Sequence, residues 1–436
     1  MPRKQLSVSV RSARAIALLT LLTVAAVAQA QTYTVLHAFT DGEDGAVPSP
    51  LIRDAQGNLY GTTRFGGIPS CGEDTCGTVF KIDSAGKETV LYRFEGGNNG
   101  SNPVAGLVRD AAGNLYGTTQ GNGSIGGQSV IFKVDPKGQQ TVLYVADGPD
   151  GSSLDSPLTL DAHGNLYGMS PYGGNTNCGD GGGCGTLFKI TPAGKFTLLH
   201  AFTVEDGRQP EGGLVLDAKG NLYGTTNFGG DLKCESLGYG YFVPGCGTVF
   251  KLDRNRKFTV LHTFTGKVGE GGGSFPLGLT IDSAGNLYGI AQNGGHVIKH
   301  TDFEYGVGTI FKVDTSGRFD VLFTFVPCTE PPCTRGQVRN PVFASHLVRD
   351  SKGNLYGLEQ SNDCAKGGGC LFRLDTEGKL TDLYDFEGEN GGPDGFTPMG
   401  VVFGSDGDFY GSMFLGGNNG GGECTYGCGT VFHLTF

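Results

Sequence analysis

Asp110-Ala111-Ala112-Gly113-Asn114-Leu115-Tyr116-Gly117 reads as a tight turn running into a strand, and the chain repeats it. Gly-Asn-Leu-Tyr-Gly, with an Asp four residues before the Asn, recurs around Tyr60, Tyr116, Tyr167, Tyr223, Tyr288 and Tyr356. A weakened seventh copy is Gly407-Asp408-Phe409-Tyr410-Gly411. Successive tyrosines lie 56, 51, 56, 65, 68 and 54 residues apart, which is the size of a four-stranded unit and too long for most helical solenoids. The turn has its own chemistry: Asp110 can accept a hydrogen bond from backbone two residues on, and Gly113 can adopt a positive φ.

Outward from that stretch, each unit carries four short strands. In the second copy these are the run ending at Asp110, then Asn114 to Thr119, Val130 to Val134, and Thr141 to Val145, separated by turn chemistry. The runs are rich in Val, Phe, Tyr and Thr and broken by Gly, so no helical period is sustained and almost no helix is expected. Both faces of Asn58-Leu59-Tyr60-Gly61-Thr62-Thr63 are apolar or small, as radially stacked blades require, with glycines facing tyrosines so that sheets nest. The expected fold is all-β: a seven-bladed β-propeller of four-stranded blades. Tyr33 to Phe39 copies a fourth strand and Gly429 to Phe436 a third, so the N-terminal strand should complete the last blade and close the ring. The strands are too short for an outer-membrane barrel, despite the terminal Phe436.

Residues 1–30 read as a cleaved signal peptide: Arg3, Lys4, Arg11 and Arg14, an apolar run from Ala15 to Val27, and the small-x-small Ala28-Gln29-Ala30. Residues 31–436 then form one propeller domain with no membrane span, secreted, periplasmic or at the cell surface. The net charge of −11, less the four positive charges of the leader, leaves −15. With no Lys/Arg run, such a surface repels phosphate backbones and excludes nucleic acid as a partner. Twelve cysteines fall into local pairs: Cys71 with Cys76, Cys178 with Cys184, Cys234 with Cys246, Cys328 with Cys333, Cys364 with Cys370, and Cys424 with Cys428. Even count, short spacing and an export signal favour disulfides over a metal site.

The chain resembles the GloVer tandem-repeat proteins of exported bacterial origin, carried by Gly61-Thr62-Thr63, Gly66-Gly67 and Gly77-Thr78-Val79-Phe80-Lys81 and covering residues 31–436. It is more loosely similar to NHL-type propellers. That resemblance implies that the Leu51 to Asp54 type of run lines a central channel; it implies no catalytic residues.

Strand order puts the short regular turns on one face and the variable, cysteine-bearing loops on the other, so a ligand surface is expected among those loops. His37, His200 and His262 share one repeat position and read as structural, and His163 and His433 as turn and strand residues. His296 and His300, with Asp302 and Glu304 in a long fifth-blade insertion, and His346 in the sixth, break the pattern. They are the candidates for a divalent-metal or acid/base site at the channel mouth. Tyr239, Tyr241, Phe242 and Tyr305 are candidates for stacking on a glycan or peptide, while Phe65, Tyr172 and Phe228 share a repeat position that suits burial. Asp41-Gly42-Glu43-Asp44-Gly45 and Asp147-Gly148-Pro149-Asp150-Gly151 are similar to calcium loops but lack a full ligand set. No P-loop, nucleophile elbow, HExxH or dinucleotide fingerprint occurs. The expected function is a monomeric, non-catalytic exported propeller that needs no cofactor and binds a glycan, peptide or surface protein. The alternative is a propeller hydrolase or lyase.

Overall fold

The computed structural model describes residues 31–436 except 68–75, 122–127, 147, 179–181, 239–240, 267–271, 295–296, 300–303, 328–336, 339–342, 361–365, 388–394, 405–406, 418–423 and 425–426. The leader therefore lies outside the described residues.

Seven antiparallel sheets follow one another along the chain. The first blade shows the plan: an inner strand in two pieces (Ala46–Pro48 and Ile52–Arg53), then Leu59–Phe65, Thr78–Ile82 and the outer Glu88–Arg93. No α-helix occurs among the described residues, only 3-10 turns such as Gly97–Asn99. The seventh blade takes Phe396–Phe403, Phe409–Leu415 and Thr430–Thr435 from the C-terminus, and its outer strand is Thr32–Ala38 from the N-terminus. Thr32 stands opposite Thr435 and Tyr33 opposite Leu434. Tyr33 stacks between Tyr384 of blade six and Phe432 at centroid distances of 5.4 and 5.3 Å, so this strand fastens two blades at once.

The repeated turn makes the bonds its residues allow. Asp54 Oδ1 accepts the Asn58 backbone N–H at 2.9 Å, and Oδ2 accepts Asn58 Nδ2 at 2.8 Å and the Tyr60 hydroxyl at 3.0 Å. One carboxylate thus closes the turn and anchors the tyrosine of the next strand.

Buried side chains form seven clusters among the described residues, one at each seam between blades, including the closing seam between blades seven and one. At four seams a phenylalanine just past the outer strand meets a third-strand phenylalanine of the next blade: Phe39 with Phe80, Phe94 with Phe132, Phe202 with Phe250 and Phe264 with Phe311, at 5.0–5.3 Å and edge to face. Such geometry puts the positive ring edge on the negative ring face. At the seam between blades two and three Ala146 occupies that place, and Tyr144 stacks instead on Phe196 at 4.5 Å.

One expectation is corrected here. The glycine after each tyrosine does not face a tyrosine of a neighbouring sheet. It stands opposite the phenylalanine of its own third strand, Gly61 with Phe80. A Cβ on Gly61 would lie 2.7 Å from Phe80 Cζ and 2.9 Å from Leu51 Cδ2, closer than carbon atoms can approach. The glycine makes room for the ring, and the ring carries the seam.

A candidate site at the channel mouth

Each inner strand enters the ring on the variable-loop face, and its entry is held by the preceding blade. The backbone N–H groups of Val47, Asn102, Gln209 and Phe275 donate to the carbonyls of Cys428, Cys76, Cys184 and Cys246 at 2.7–3.2 Å. All four donors sit at φ between 51 and 60°, a conformation that needs outside support in a residue with a side chain. Disulfides join Cys178 to Cys184, Cys234 to Cys246 and Cys424 to Cys428, and Cys76 and Cys370 are also disulfide-bonded. Cys71, Cys328, Cys333 and Cys364 lie outside the described residues. The staples therefore hold the loop carbonyls onto which the next blade docks.

Immediately before the buried inner leucine, or Val401 in blade seven, the blades present Pro50, Gly106, Pro157, Gly213, Gly278, His346 and Gly400. These form a collar: a Cβ on Gly400 would lie 3.0 Å from Pro50 Cβ, one on Gly213 2.8 Å from Pro157 Cγ, and one on Gly278 3.1 Å from His346 Cβ. His346 is the collar's polar member. It stands where the inner strand Phe343–Arg349 loses pairing between Ala344 and Val348, with its side chain open to the channel. The protein packed around it pushes the imidazole pKa below its ordinary value, so the ring is neutral at neutral pH. His346 is open to solvent, so its desolvation is partial.

Two residues outward from the collar, the other blades have Pro48, Val104, Pro276, Ala344 and Pro398, whereas blades three and four have Asp155 and Glu211. These two acids were missed above. Adjacent blades bring them together: Ser156 Oγ donates to the Glu211 carbonyl at 3.0 Å, and Gly212 packs against Gly278, which touches His346. Burial, and next the charge of Glu211, push Asp155 up to about 7, and its Oδ1 is buried without a hydrogen-bond partner. Burial also raises Glu211, against the hydrogen bond that Asn227 Nδ2 donates to its Oε2 at 2.8 Å. Glu211 keeps open surface on the channel side, so water relieves part of that effect. The mouth thus holds two carboxyls that burial pushes up, Asp155 to about 7, and a neutral imidazole. Comparison of equivalent repeat positions would have found the two acids.

Of the other candidates, Tyr239, His296, His300 and Asp302 lie outside the described residues. Tyr241 and Phe242 belong to a backbone ribbon in which Tyr241–Pro244 pairs with Glu235–Gly238. Glu304 and Tyr305 belong to another, Glu304–Gly306 against Val297–Lys299. Both long insertions are therefore hairpins. Among the described residues no group of three His, Cys, Asp or Glu is placed to hold a metal ion.

Several other residues take structural roles, while Phe65 and Tyr172 are half-buried. His37 and His200 reach Asp44 and Asp206 at 3.2 and 2.9 Å, which engages the acids of those loops in outer-strand contacts. His262 stacks on Phe319 at 3.8 Å. Phe228 is buried edge-on against Phe275 of the next blade.

Fold and site together define a disulfide-bearing seven-bladed β-propeller with an ionisable channel mouth. The chain belongs to the Gloeobacter/Verrucomicrobia repeat family, whose model matches residues 23–238 and 182–340. No curated protein matches it. Among solved structures it is similar to PorZ, a bacterial surface component of the type-IX secretion system of Porphyromonas gingivalis (TM-score 0.50, 14% identity, 88% of this chain and 46% of that one). A luciferin-regenerating enzyme (0.42, 14%, 79% and 92%) and a gluconolactonase from Xanthomonas campestris (0.40, 13%, 91% and 98%) are more distant in shape. At such identities the likeness speaks of fold alone. Among the described residues no helix is long and apolar enough to cross a membrane, and the disulfides fit an oxidising compartment.

Proposed function

We propose that this protein is an exported binding module that captures a polar ligand, a glycan or peptide, at the channel mouth of its disulfide-stapled face. The observation that carries this reading is the placement of Asp155 and Glu211 at one repeat position of adjacent blades, where the other blades have proline or an aliphatic residue, two residues from the collar that holds His346. A carboxyl oxygen buried without a hydrogen-bond partner among the described residues, as Asp155 Oδ1 is, is retained against its desolvation when something uses it. The leader supports export, and PorZ offers one surface-exposed protein of this fold.

Glycan and peptide arrays with the mature chain test the proposal. Binding is expected for wild type and should be lost in Asp155→Asn/Glu211→Gln and weakened in His346→Ala, with the fold intact by circular dichroism. Silence across both arrays, or a bound ligand indifferent to these substitutions, overturns it. The enzymatic reading, a hydrolase or lyase at the same mouth, is favoured by one observation, the Asp155 carboxyl raised to about 7, the range of a general acid/base. Turnover of an array hit, abolished by Asp155→Asn, would select it.

A further inference from the structure

On the opposite face, where the regular turns lie, a groove of about 600 Å³ opens between blades three and four. We propose that this groove binds a small ligand through a phosphate or carboxylate group.

Four cations from three segments line it: Lys189 from a strand of blade three, and from blade four Lys219 in one turn and Arg254 and Arg256 in another. None has an ion-pair partner among the described residues. Three carboxylates are also present, but each is turned into its own loop. Asp161 and Asp217 accept from Asn165 and Asn221 and from Tyr167 and Tyr223, and Asp253 accepts the backbone N–H groups of Asn255 and Lys257 at 2.8 and 2.9 Å. These carboxylates are thus engaged by their own loops, and Lys189 lies over the Tyr167 ring at 5.6 Å, which leaves Lys219, Arg254 and Arg256 as the exposed cations of the groove. In a chain of net charge −11 this is a local reversal of sign.

An apolar inner-strand residue, also found as Leu160, Ile281 and Phe403 in other blades, and one departure from the repeat create the feature. At three other seams the inner-strand residue is an arginine lying over the tyrosine of the preceding blade: Arg53 over Tyr410, Arg109 over Tyr60 and Arg349 over Tyr288, at 5.1–5.5 Å. Those guanidinium groups also pack on the turn glycines, 3.0–3.2 Å from where a Cβ on Gly57, Gly113 or Gly353 would stand. Here Leu216 holds the arginine position, and a Cβ on Gly220 would meet nothing within 4 Å. The departure is in the turn after the third strand, which has Gly86, Gly138, Gly194, Gly317 and Gly378 in other blades, but Arg256 in blade four, held at φ 66°. A left-handed arginine where glycine serves elsewhere is a strained choice that adds a guanidinium to the groove. The volume suits a small molecule and not a polymer, and guanidinium pairs favour oxyanions through bidentate bonds.

Calorimetric titration at low ionic strength tests the proposal, with pyrophosphate as the phosphate probe and a galacturonate disaccharide as the carboxylate probe. Saturable one-to-one binding of one probe is expected, and which one binds identifies the source chemistry. Arg256→Gly restores the residue used by the other blades and so keeps the fold; combined with Arg254→Gln it should weaken binding about tenfold or more. Lys137→Gln, which removes a positive charge from the corresponding turn of blade two, and Asp155→Asn at the channel mouth should leave it unchanged. No saturable binding of either probe, or equal losses in Lys137→Gln and the double variant, overturns the proposal.

Discussion

The Tyr116 hydroxyl donates to Asp110 Oδ2 over 3.0 Å, and the same bond joins tyrosine to aspartate at 3.0–3.1 Å in five other blades. In blade seven Gly404 stands in place of the aspartate, and the acid has moved to the asparagine position as Asp408. Its Oδ2 meets His433 Nε2 at 2.8 Å, and His433 stacks on Tyr410 at 4.3 Å. The lost turn carboxylate is thus replaced by one tied to the third strand, which explains how the weakened motif still forms a blade.

Burial works to raise the pKa of Asp110, yet hydrogen bonds from the Asn114 side chain and backbone and from Tyr116 outweigh it and hold the carboxyl below its usual range. Asp54, Asp161, Asp217, Asp282 and Asp350 are depressed in the same way. A depressed carboxylate contributes stability above its unfolded value of about 3.9 and loses it as pH falls through the folded value. Tyr116, Tyr167 and Tyr223 are raised to about 12, so their contribution is present below about 10 and lost between 10 and 12. These turn groups should therefore make urea midpoints fall below about pH 4 and above about pH 10. Asp110→Asn should cost about 1–3 kcal/mol at neutral pH and flatten the acid limb. An unchanged midpoint at pH 7 would contradict this account of the turn.

Gly168→Ala should destabilise by about 1–3 kcal/mol, through overpacking and not through backbone strain. Gly168 has no positive φ, but its Cβ would lie 2.5 Å from Phe188 Cζ. Phe188→Leu in the same chain should recover part of that loss, and a double-mutant cycle measures the coupling. Additive losses would show that the glycine serves something other than the ring.

The fold was legible because its signals are periodic: the turn with its strand, the strand lengths, and a terminal strand that copies another unit. Structural roles for His37, His200 and His262 were legible for the same reason. Two kinds of information were not. Gly61 and Phe80 are paired by register across a hairpin, which the local pattern does not carry. Asp155 and Glu211 lie 56 residues apart and meet only because blades three and four are neighbours at the channel. Each alone is an ordinary loop acid, and only the proline or aliphatic residues at the equivalent positions mark them out.

Replacing Cys234 and Cys246 by serine should cost about 3 kcal/mol by the chain-entropy estimate for a loop of this length. A specific seam should also open. The Phe275 N–H donates to the Cys246 carbonyl at 3.2 Å, and both cysteines are buried in the cluster between blades four and five. Amide exchange at Phe275 should therefore accelerate far more than at Val47, whose acceptor is Cys428 in another seam. Equal acceleration at both would mean that the staple acts only on the unfolded chain.

Asp155→Asn should stabilise the protein at pH 8 and give no gain at pH 4. Burial and the neighbouring Glu211 raise the folded pKa to about 7, above the unfolded value of about 3.9. Protonated Asp155 thus contributes stability below about pH 3.9, and the contribution is lost as pH rises through 7. Ionised at pH 8, the side chain is a buried charge beside another, and the asparagine removes it. Channel water screens part of this, so the expected gain is about 1–2 kcal/mol. Glu211→Gln should shift the transition to lower pH without abolishing it, since burial is the larger cause. A carboxyl ¹³C titration of Asp155 reads the same change directly, and a midpoint near pH 4 would remove the electrostatic basis for a site at the channel mouth.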